Sequence, residues 1–302
     1  MPKIELKNVY KIFGEEPQSV LPLVQNGATK EEILEETDHT VGLDNVSISV
    51  EEGETFVCMG LSGSGKSTLI RHINRLIDPT EGEVLVDGVN VLEFNESELL
   101  ELRRHEMSMV FQSFGLFPHK TVIQNVAYGL EIQDKPLEER NSTAEEQIKA
   151  VGLNGFEHQY PSQLSGGMQR RAELARALIN QPLVMIMDEP FRGLDAMTRQ
   201  LMQEFYLRLC EEEERTNVFV TSELEEAIIL ADSLVVLSNR PTTVREVVQI
   251  DLPRPRNLDM LSSPEAYDYK RHAMEMLHEE ALKSFSGTES ESEFLKSYTQ
   301  HA

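Results

Sequence analysis

A glycine-rich turn between a predicted strand and a predicted helix limits the folds open to this chain more than any other feature. The turn, residues 60–68, reads GLSGSGKST and matches the pattern G-x-x-x-x-G-K-[ST]. The apolar run Thr55–Met59 precedes it, and Leu69, Ile70 and Ile73 follow with helical spacing. This order of strand, loop and helix predicts an α/β fold in which backbone amides turn inward around an anion.

The same loop supplies the side chains that a nucleoside triphosphate needs. We expect Lys66 to contact the β and γ phosphates and the Ser67 hydroxyl to be a ligand of Mg²⁺. The predicted cofactors are therefore ATP and Mg²⁺. The nucleotide-binding residues predicted in the loop are Ser62, Gly63, Ser64, Gly65, Lys66, Ser67 and Thr68.

A second apolar run, residues 183–187, ends in two carboxylates and is too short to span a membrane. It predicts a buried parallel strand, and the carboxyl ends of such strands lie where open parallel sheets bind ligands. We expect Asp188 to hold Mg²⁺ and Glu189 to polarise the attacking water.

A third segment, residues 164–171, reads LSGGMQRR and predicts a second helix N-terminus with exposed amides. A monomer that holds one ATP has no use for a second anion site. In a two-fold homodimer, each chain could offer this segment to the γ-phosphate held by the other. Its predicted nucleotide contacts are Ser165, Gly166, Gly167 and Gln169.

These motifs together resemble the ABC transporter ATPase family over about residues 3 to 250. The resemblance implies that Phe13 stacks on adenine and that Gln112 is the Q-loop glutamine, a catalytic residue and a ligand of Mg²⁺. Residues 193–195 resemble the end of the D-loop, with Asp195 at the nucleotide. Met168 departs from the family, since it stands where a plain LSGGQ already has glutamine.

The resemblance also implies the architecture. An ABC nucleotide-binding domain over residues 1–250 has a P-loop NTPase core with a parallel sheet, an N-terminal antiparallel β subdomain and a helical subdomain inserted at about 95–175. The surface after Gln112, with Phe114, Phe117 and Pro118, is expected to receive a coupling helix from a membrane subunit. Residues 251–302 are predicted to be a helical tail without CBS domains.

Composition argues against direct binding to nucleic acid or lipid. The chain has 28 Lys and Arg against 52 Asp and Glu, a formal net charge of -24, which disfavours anionic surfaces. The sequence has no long apolar stretch, so membrane contact is expected through protein partners. The implied partners are a second ATPase subunit, integral membrane permease subunits and a periplasmic or extracellular solute-binding protein, at the cytoplasmic face of the membrane.

Residues 15–40 resemble the insertion of glycine-betaine-type ATPase subunits, and Thr29 and Glu32 form a capping-box pattern there. The favoured function is therefore ATP hydrolysis that powers import of a compatible solute such as glycine betaine, proline, choline or trimethylamine N-oxide. Residues 237–241 and 247–256 look more like the ends of taurine, sulfonate and nitrate importer ATPases, which remain an alternative. A non-transport ABC ATPase that remodels protein or nucleic acid is the rival from another class.

Two positions depart from the family in the catalytic region. Ser222 stands where the family has a histidine that contacts the γ-phosphate, and Arg192 stands in the D-loop where a small residue is usual. A serine hydroxyl is shorter than imidazole and stays neutral. Either Glu189 suffices as the base, which we favour, or the chain binds ATP and hydrolyses it poorly.

Overall fold

Within residues 1–113, 115–212 and 215–285, which the computed structural model describes, ten strands form two sheets. The strands are β1 (Ile4–Phe13), β2 (Thr40–Val50), β3 (Thr55–Met59), β4 (Glu81–Val86), β5 (Val89–Asn90), β6 (Met107–Val110), β7 (Val184–Asp188), β8 (Thr216–Thr221), β9 (Ser233–Leu237) and β10 (Val244–Gln249). The helices are α1 (Leu21–Gln25), α2 (Lys30–Thr37), α3 (Lys66–Ile73), α4 (Glu96–Glu101), α5 (Val122–Val126), α6 (Tyr128–Glu131), α7 (Leu137–Ala150), α8 (Gly166–Leu178), α9 (Ala196–Glu212), α10 (Leu224–Leu230) and α11 (Pro264–Phe285).

The larger sheet has the strand order β10-β9-β3-β8-β7-β6. Its strands pair in parallel except at the edge, where β10 runs antiparallel to β9. Every residue of β3, β7, β8 and β9 is buried. Strands buried along their whole length need cover on both faces, which is why they read as continuous apolar runs rather than alternating ones.

Alternate residues of these strands enter two different cores. Phe56 and Cys58 of β3 pack with α3 and the smaller sheet. Val57 and Met59 face the other way and pack with residues of α8, α9, α10 and α11. Because successive side chains of a strand point to opposite faces, one strand fixes both layers. The predicted α/β core is confirmed.

The smaller sheet is antiparallel, with the order β2-β1-β4-β5, as the resemblance implied. The segment between β1 and β2 contains α1 and α2, and their residues Val24 and Ile33 pack against Ile12 and Val41. The predicted capping box is present, since Glu32 Oε2 accepts from the Thr29 amide at 2.8 Å and Thr29 Oγ1 accepts from the Glu32 amide at 3.2 Å. Local sequence thus fixes the start of α2.

The range predicted as an inserted helical subdomain, 95–175, also contains a strand of the larger sheet. β6 pairs in parallel with β7 between α4 and α5. After it, α5, α7 and α8 enclose a separate core that includes Val126, Ile148 and Ala172. A strand of four residues gives no clear periodicity, and for this reason the sequence did not separate it from the surrounding helices.

The C-terminal part of the described chain is the long helix α11, which runs from Pro264 to Phe285 within the range predicted as a helical tail. Its residues Ala266, Ala273 and Met276 join the core under the sheet. The predicted tail residues 286–302, like Phe114, lie outside the described residues. None of the helices described is both long enough and apolar enough to cross a bilayer.

A buried carboxyl group in α10 should make stability depend on pH. Glu226 is 3% exposed, and burial raises its pKa to about 7, although hydrogen bonds from Thr221 and Gln203 oppose the shift. The folded state therefore holds a proton that the unfolded chain releases at lower pH, so the free energy of unfolding should fall as pH rises from about 4.5 through about 7.

Replacing Glu226 with Gln should flatten this pH dependence and raise the free energy of unfolding above pH 7 by roughly 3 kcal/mol. Urea denaturation of both chains at pH 5 and pH 8 measures the difference. Glu225, the neighbour of Glu226, is exposed and pairs with Lys270. Glu225→Gln is therefore the matched control and should change the free energy of unfolding little. If the free energy of unfolding changed equally with pH in the native and Glu226→Gln chains, Glu226 would not be the source of the pH dependence.

Candidate functional site

The predicted site residues follow strands that end at one edge of the larger sheet. The glycine-rich loop follows β3, Gln112 follows β6, Asp188 ends β7 and Ser222 follows β8. Carboxyl ends of parallel strands create a crevice at this edge. A pocket there is lined by the loop residues Ser62 to Thr68 together with Phe13, Gly42, Gln112, Glu189, Arg192 and Arg240.

The loop has the conformation that an anion cradle requires. Gly63 and Gly65 have φ angles of 80° and 90°, which favour glycine, and α3 starts directly after them. Lys66 is buried, and its Nζ donates to the carbonyl oxygens of Gly60 and Leu61 at 2.8 and 2.9 Å. Burial lowers the Lys66 pKa, while Glu189 and Asp188 oppose the shift.

An unsatisfied hydroxyl lies within the loop. Ser64 Oγ is buried and has no hydrogen-bond partner among the residues described. A buried polar atom without a partner is costly, and a phosphate oxygen would satisfy it. This observation fits a bound nucleotide.

Asp188 lies under the start of α3. Its carboxylate is fully buried and accepts from Ser67 Oγ at 2.6 Å and from Arg71 Nη2 at 3.2 Å. The two predicted ligands of Mg²⁺ in the loop and the strand are therefore in direct contact. Arg71 balances the carboxylate charge when no cation is bound, a role that sequence reasoning missed.

Glu189 is held by three neighbours. Its Oε2 accepts from Arg192 Nη1 at 2.5 Å and from Gln112 Nε2 at 3.1 Å, and its Oε1 lies 3.9 Å from Lys66 Nζ. Its backbone has a φ of 45°, a strained value for a residue with a side chain. Arg192, an exception to the family pattern, is thus the ion-pair partner of the predicted catalytic base, and the bond raises the pKa of Arg192.

Phe13 forms one wall of the pocket. Its side chain is 40% exposed, unlike a core aromatic, and Lys11 Nζ lies 5.2 Å from the ring centroid. A Cβ on Gly42 would come within 2.7 Å of the ring, so glycine there leaves room for it. An accessible ring beside a phosphate cradle can stack on a base.

The segment 164–169 is not part of the pocket lining. Ser165 caps α8, with its Oγ accepting from the Met168 amide at 3.3 Å, and Gln169 Nε2 donates to the Leu164 carbonyl at 3.2 Å. Ser165 and Gly166 are exposed, whereas Gly167 packs so closely on Thr198 that a Cβ would collide. This arrangement leaves the N-terminal end of α8 open to solvent.

Two further predicted residues also lie outside the pocket lining. Asp195 accepts from the Thr198 amide at 3.0 Å, and hydrogen bonds with Thr198 lower its pKa. Ser222 is exposed in the turn between β8 and α10.

Comparisons with known proteins agree with this geometry. A family model described as ABC transporter matches residues 43–192. The chain is 50% identical to the glycine betaine/carnitine transport ATP-binding protein GbuA of Listeria monocytogenes, over 78% of this chain and 60% of that protein. It is 44% identical to the trimethylamine N-oxide transport system ATP-binding protein TmoW of Pelagibacter ubique, over 79% of this chain and 70% of that protein. This chain belongs to the ABC transporter ATP-binding protein family.

The fold agrees with the family as well. A dimeric post-hydrolysis state of the ATP-binding cassette MJ0796, bound to ADP and Pi, superposes with a TM-score of 0.69 at 32% identity. The match covers 83% of this chain and 100% of that one. The chain is also 45% identical to the glycine betaine/proline betaine transport protein ProV of Escherichia coli, but spans only 65% of its length.

Among the residues described, this ABC protein has no group of three or more His, Cys, Asp or Glu side chains that could hold a metal ion. Ser67, Asp188 and the Gln112 amide oxygen would supply oxygen ligands of the kind that Mg²⁺ prefers, alongside phosphate oxygens and water. The residues fit a cation that binds with the nucleotide.

Sequence reasoning also missed two residues that reach the pocket of this ABC protein from the other end of the chain. Arg240 lines it, and Thr242 Oγ1 donates to the Ser64 carbonyl across 178 residues of sequence. No motif signals either contact, because both depend on the β9–β10 connection passing beside the loop.

Proposed function

We propose that this protein binds MgATP and hydrolyses it to power import of a small compatible solute of the betaine type. The observation that carries the proposal is the contact of Glu189 with Arg192, Gln112 and Lys66 beside a phosphate cradle. This arrangement places the Glu189 carboxylate within reach of the site where the terminal phosphate would lie.

Nucleotide binding follows from the loop. Lys66 leaves its two carbonyl partners for phosphate oxygens, and Ser64 gains the partner that it lacks. The exposed face of the Phe13 ring stacks on the adenine of the nucleotide. Mg²⁺, held by Ser67, Asp188 and Gln112, would neutralise phosphate charge.

Hydrolysis requires a base that accepts a proton from water. Glu189 takes this role, because among the described residues its Oε1 accepts no hydrogen bond and lies 3.9 Å from Lys66 Nζ, whereas Oε2 accepts from Arg192 and Gln112. The bond from Arg192 occupies one oxygen of this carboxylate. We infer that turnover is fastest when the exposed Arg192 side chain swings away from Glu189.

Two copies of the chain complete the site. The capped N-terminus of α8 points to solvent with exposed Ser165 and Gly166, and the MJ0796 cassette is a dimer. In our proposal this segment and Asp195 contact the nucleotide held by the partner copy.

The solute and partners are inferred from relatives. Glycine betaine, proline betaine, carnitine and trimethylamine N-oxide appear in the names of the relatives. We propose a methylated amine as the solute, permease subunits and a solute-binding protein as partners, and the cytoplasmic face of the membrane as the location. Pull-down of a tagged chain after mild detergent extraction tests this: a membrane permease should co-purify, and its stable absence would favour a non-transport ATPase.

A second candidate function is ATP binding with weak hydrolysis, and the exposed position of Ser222 outside the pocket lining favours it. Replacing Ser222 with His should raise steady-state hydrolysis by about one to two orders of magnitude, by analogy with other positioned hydrogen-bond donors. Comparison of kcat for native and Ser222→His chains measures this. A native rate equal to that of Glu189→Gln, restored by Ser222→His, would establish the weaker function. Equal rates in native and Ser222→His chains would show that position 222 does not limit turnover.

A further inference from the structure

An arginine in the pocket has no role so far. Arg240 lies in the connection between β9 and β10 and lines the same pocket as Phe13 and Lys66. Its Nη2 lies 3.5 Å from the point where a Cβ on Gly63 would be. Among the residues that the structure describes, no hydrogen bond or ion pair holds its guanidinium group. Arg192, the other arginine of the lining, is paired with Glu189.

Thr242, two positions after Arg240, bonds this connection to the glycine-rich loop. Thr242 is fully buried, and its Oγ1 donates to the Ser64 carbonyl. Its backbone amide donates to the Gly42 carbonyl at 3.0 Å, and its carbonyl accepts from the Asp44 amide at 2.9 Å. The segment that carries Arg240 is therefore fixed on its C-terminal side against the loop and β2.

On its N-terminal side the segment is held by α11. Glu280 Oε2 accepts from the Asn239 amide at 3.0 Å, and the Glu280 carbonyl accepts from Asn239 Nδ2 at 2.8 Å. Glu280 Oε1 lies 3.2 Å from Arg245 Nε and 2.6 Å from Lys283 Nζ. The Glu280 side chain is 3% exposed. Burial would raise its pKa, but the bonds from Lys283 and Asn239 and the charge of Arg245 outweigh burial and lower it.

We propose that Arg240 is a nucleotide-binding residue that contacts the triphosphate of the nucleotide. Glu280 of α11 is the positioning residue that holds Arg240 in place. The inference rests on the proposed binding of ATP. An exposed guanidinium that has no partner among the described residues, on a segment held on both sides beside a phosphate cradle, suits a charge-assisted bond to phosphate oxygens. The Arg240 side chain also adds a positive charge to the pocket of a chain whose net charge is -24.

Binding of ATP and of adenosine to the full-length chain tests the role of Arg240. Arg240→Gln should weaken ATP binding by about tenfold, the effect of one charged hydrogen bond, and leave adenosine binding unchanged. Arg271→Gln, a matched change of an exposed arginine on α11 that pairs with Asp268, should alter neither. Unchanged ATP affinity in Arg240→Gln, or an equal loss for both ligands, overturns the proposal.

Two variants at Glu280 separate positioning from stability. Glu280→Ala should weaken ATP binding several-fold with no loss for adenosine, and Glu280→Gln, which still accepts from the Asn239 amide, should restore most of it. Combined with Arg240→Gln, Glu280→Ala should add almost nothing, because both act on one contact. A lowered Tm with native ATP affinity in Glu280→Ala would make Glu280 purely structural and overturn its assigned role.

Lys66→Ala distinguishes failure of this inference from failure of the proposed function. Loss of ATP binding in Lys66→Ala with native affinity in Arg240→Gln overturns only the role of Arg240. Native ATP affinity in Lys66→Ala overturns nucleotide binding at this loop, and the inference with it.

Discussion

Replacing Glu189 with Gln should lower steady-state ATP hydrolysis by about 10²- to 10⁴-fold, the range expected for loss of a general base, while ATP binding persists. An amide cannot accept the proton of water, yet it keeps the shape of the side chain and can still accept from Gln112 Nε2, which lies 3.1 Å from the carboxylate. The measurements are the rate of phosphate release at saturating MgATP and the equilibrium affinity for ATP.

The matched control is Glu225→Gln, because Glu225 is an exposed carboxylate on α10 that pairs with Lys270. It should hydrolyse ATP at the native rate. Native hydrolysis in Glu189→Gln would remove Glu189 from the role of base. Loss of ATP binding in that variant would instead make its main contribution to the pocket structural, through Arg192 and Lys66.

Replacing Glu173 with Ala should lower the free energy of unfolding by about 3 to 5 kcal/mol, since it leaves a buried arginine without its charge partner. Arg170 and Glu173 are each 1% exposed, and Arg170 Nη1 lies 2.5 Å from Glu173 Oε2. The pair links α8 to the segment that contains Gln112: Arg170 donates to the Phe111 and Gln112 carbonyls at 2.7 and 2.9 Å. Burial raises the Glu173 pKa, and Arg170 opposes the shift.

Urea denaturation tests this prediction against a pair with the same spacing on the surface. Asp268 and Arg271 are both exposed and lie three residues apart in α11, and Asp268→Ala should cost less than about 1 kcal/mol. The double variant Arg170→Met with Glu173→Leu should recover part of the stability lost in Glu173→Ala, because the Arg170 charge is removed together with the carboxylate that faces it, while Arg176 still loses the attraction of Glu173. Similar small losses in Glu173→Ala and Asp268→Ala would show that the pair does not stabilise the fold.

The sequence predicted the parts of the site that are local. The loop after β3 and the carboxylates that end β7 lie where predicted, because a strand, a glycine pattern and a helix start are each encoded within about ten residues. The capping box of α2 is local for the same reason. The family resemblance and the α/β architecture are confirmed.

Several remaining features depend on contacts between distant segments, and others on how neighbouring side chains turn. Arg240 reaches the pocket, and Glu280 reaches Asn239 over 41 residues, only after β9, β10 and α11 have packed. The ion pair of Arg192 with Glu189 spans three residues, but no motif predicts that the two side chains turn toward each other. The roles of Ser165, Asp195 and Ser222 remain predictions, because they depend on a partner copy and a bound nucleotide.

The measurement that tests the central claim most directly is ATP hydrolysis by the chain reconstituted in liposomes with its co-purified permease and a solute-binding protein. Glycine betaine, trimethylamine N-oxide, taurine and nitrate are compared at saturating MgATP, with Glu189→Gln as the background. The account predicts that a methylated amine stimulates hydrolysis above that background and accumulates in the compartment that contains the ATPase, opposite the solute-binding protein. A rate of hydrolysis that none of the solutes changes, together with no transport of solute, would contradict the account.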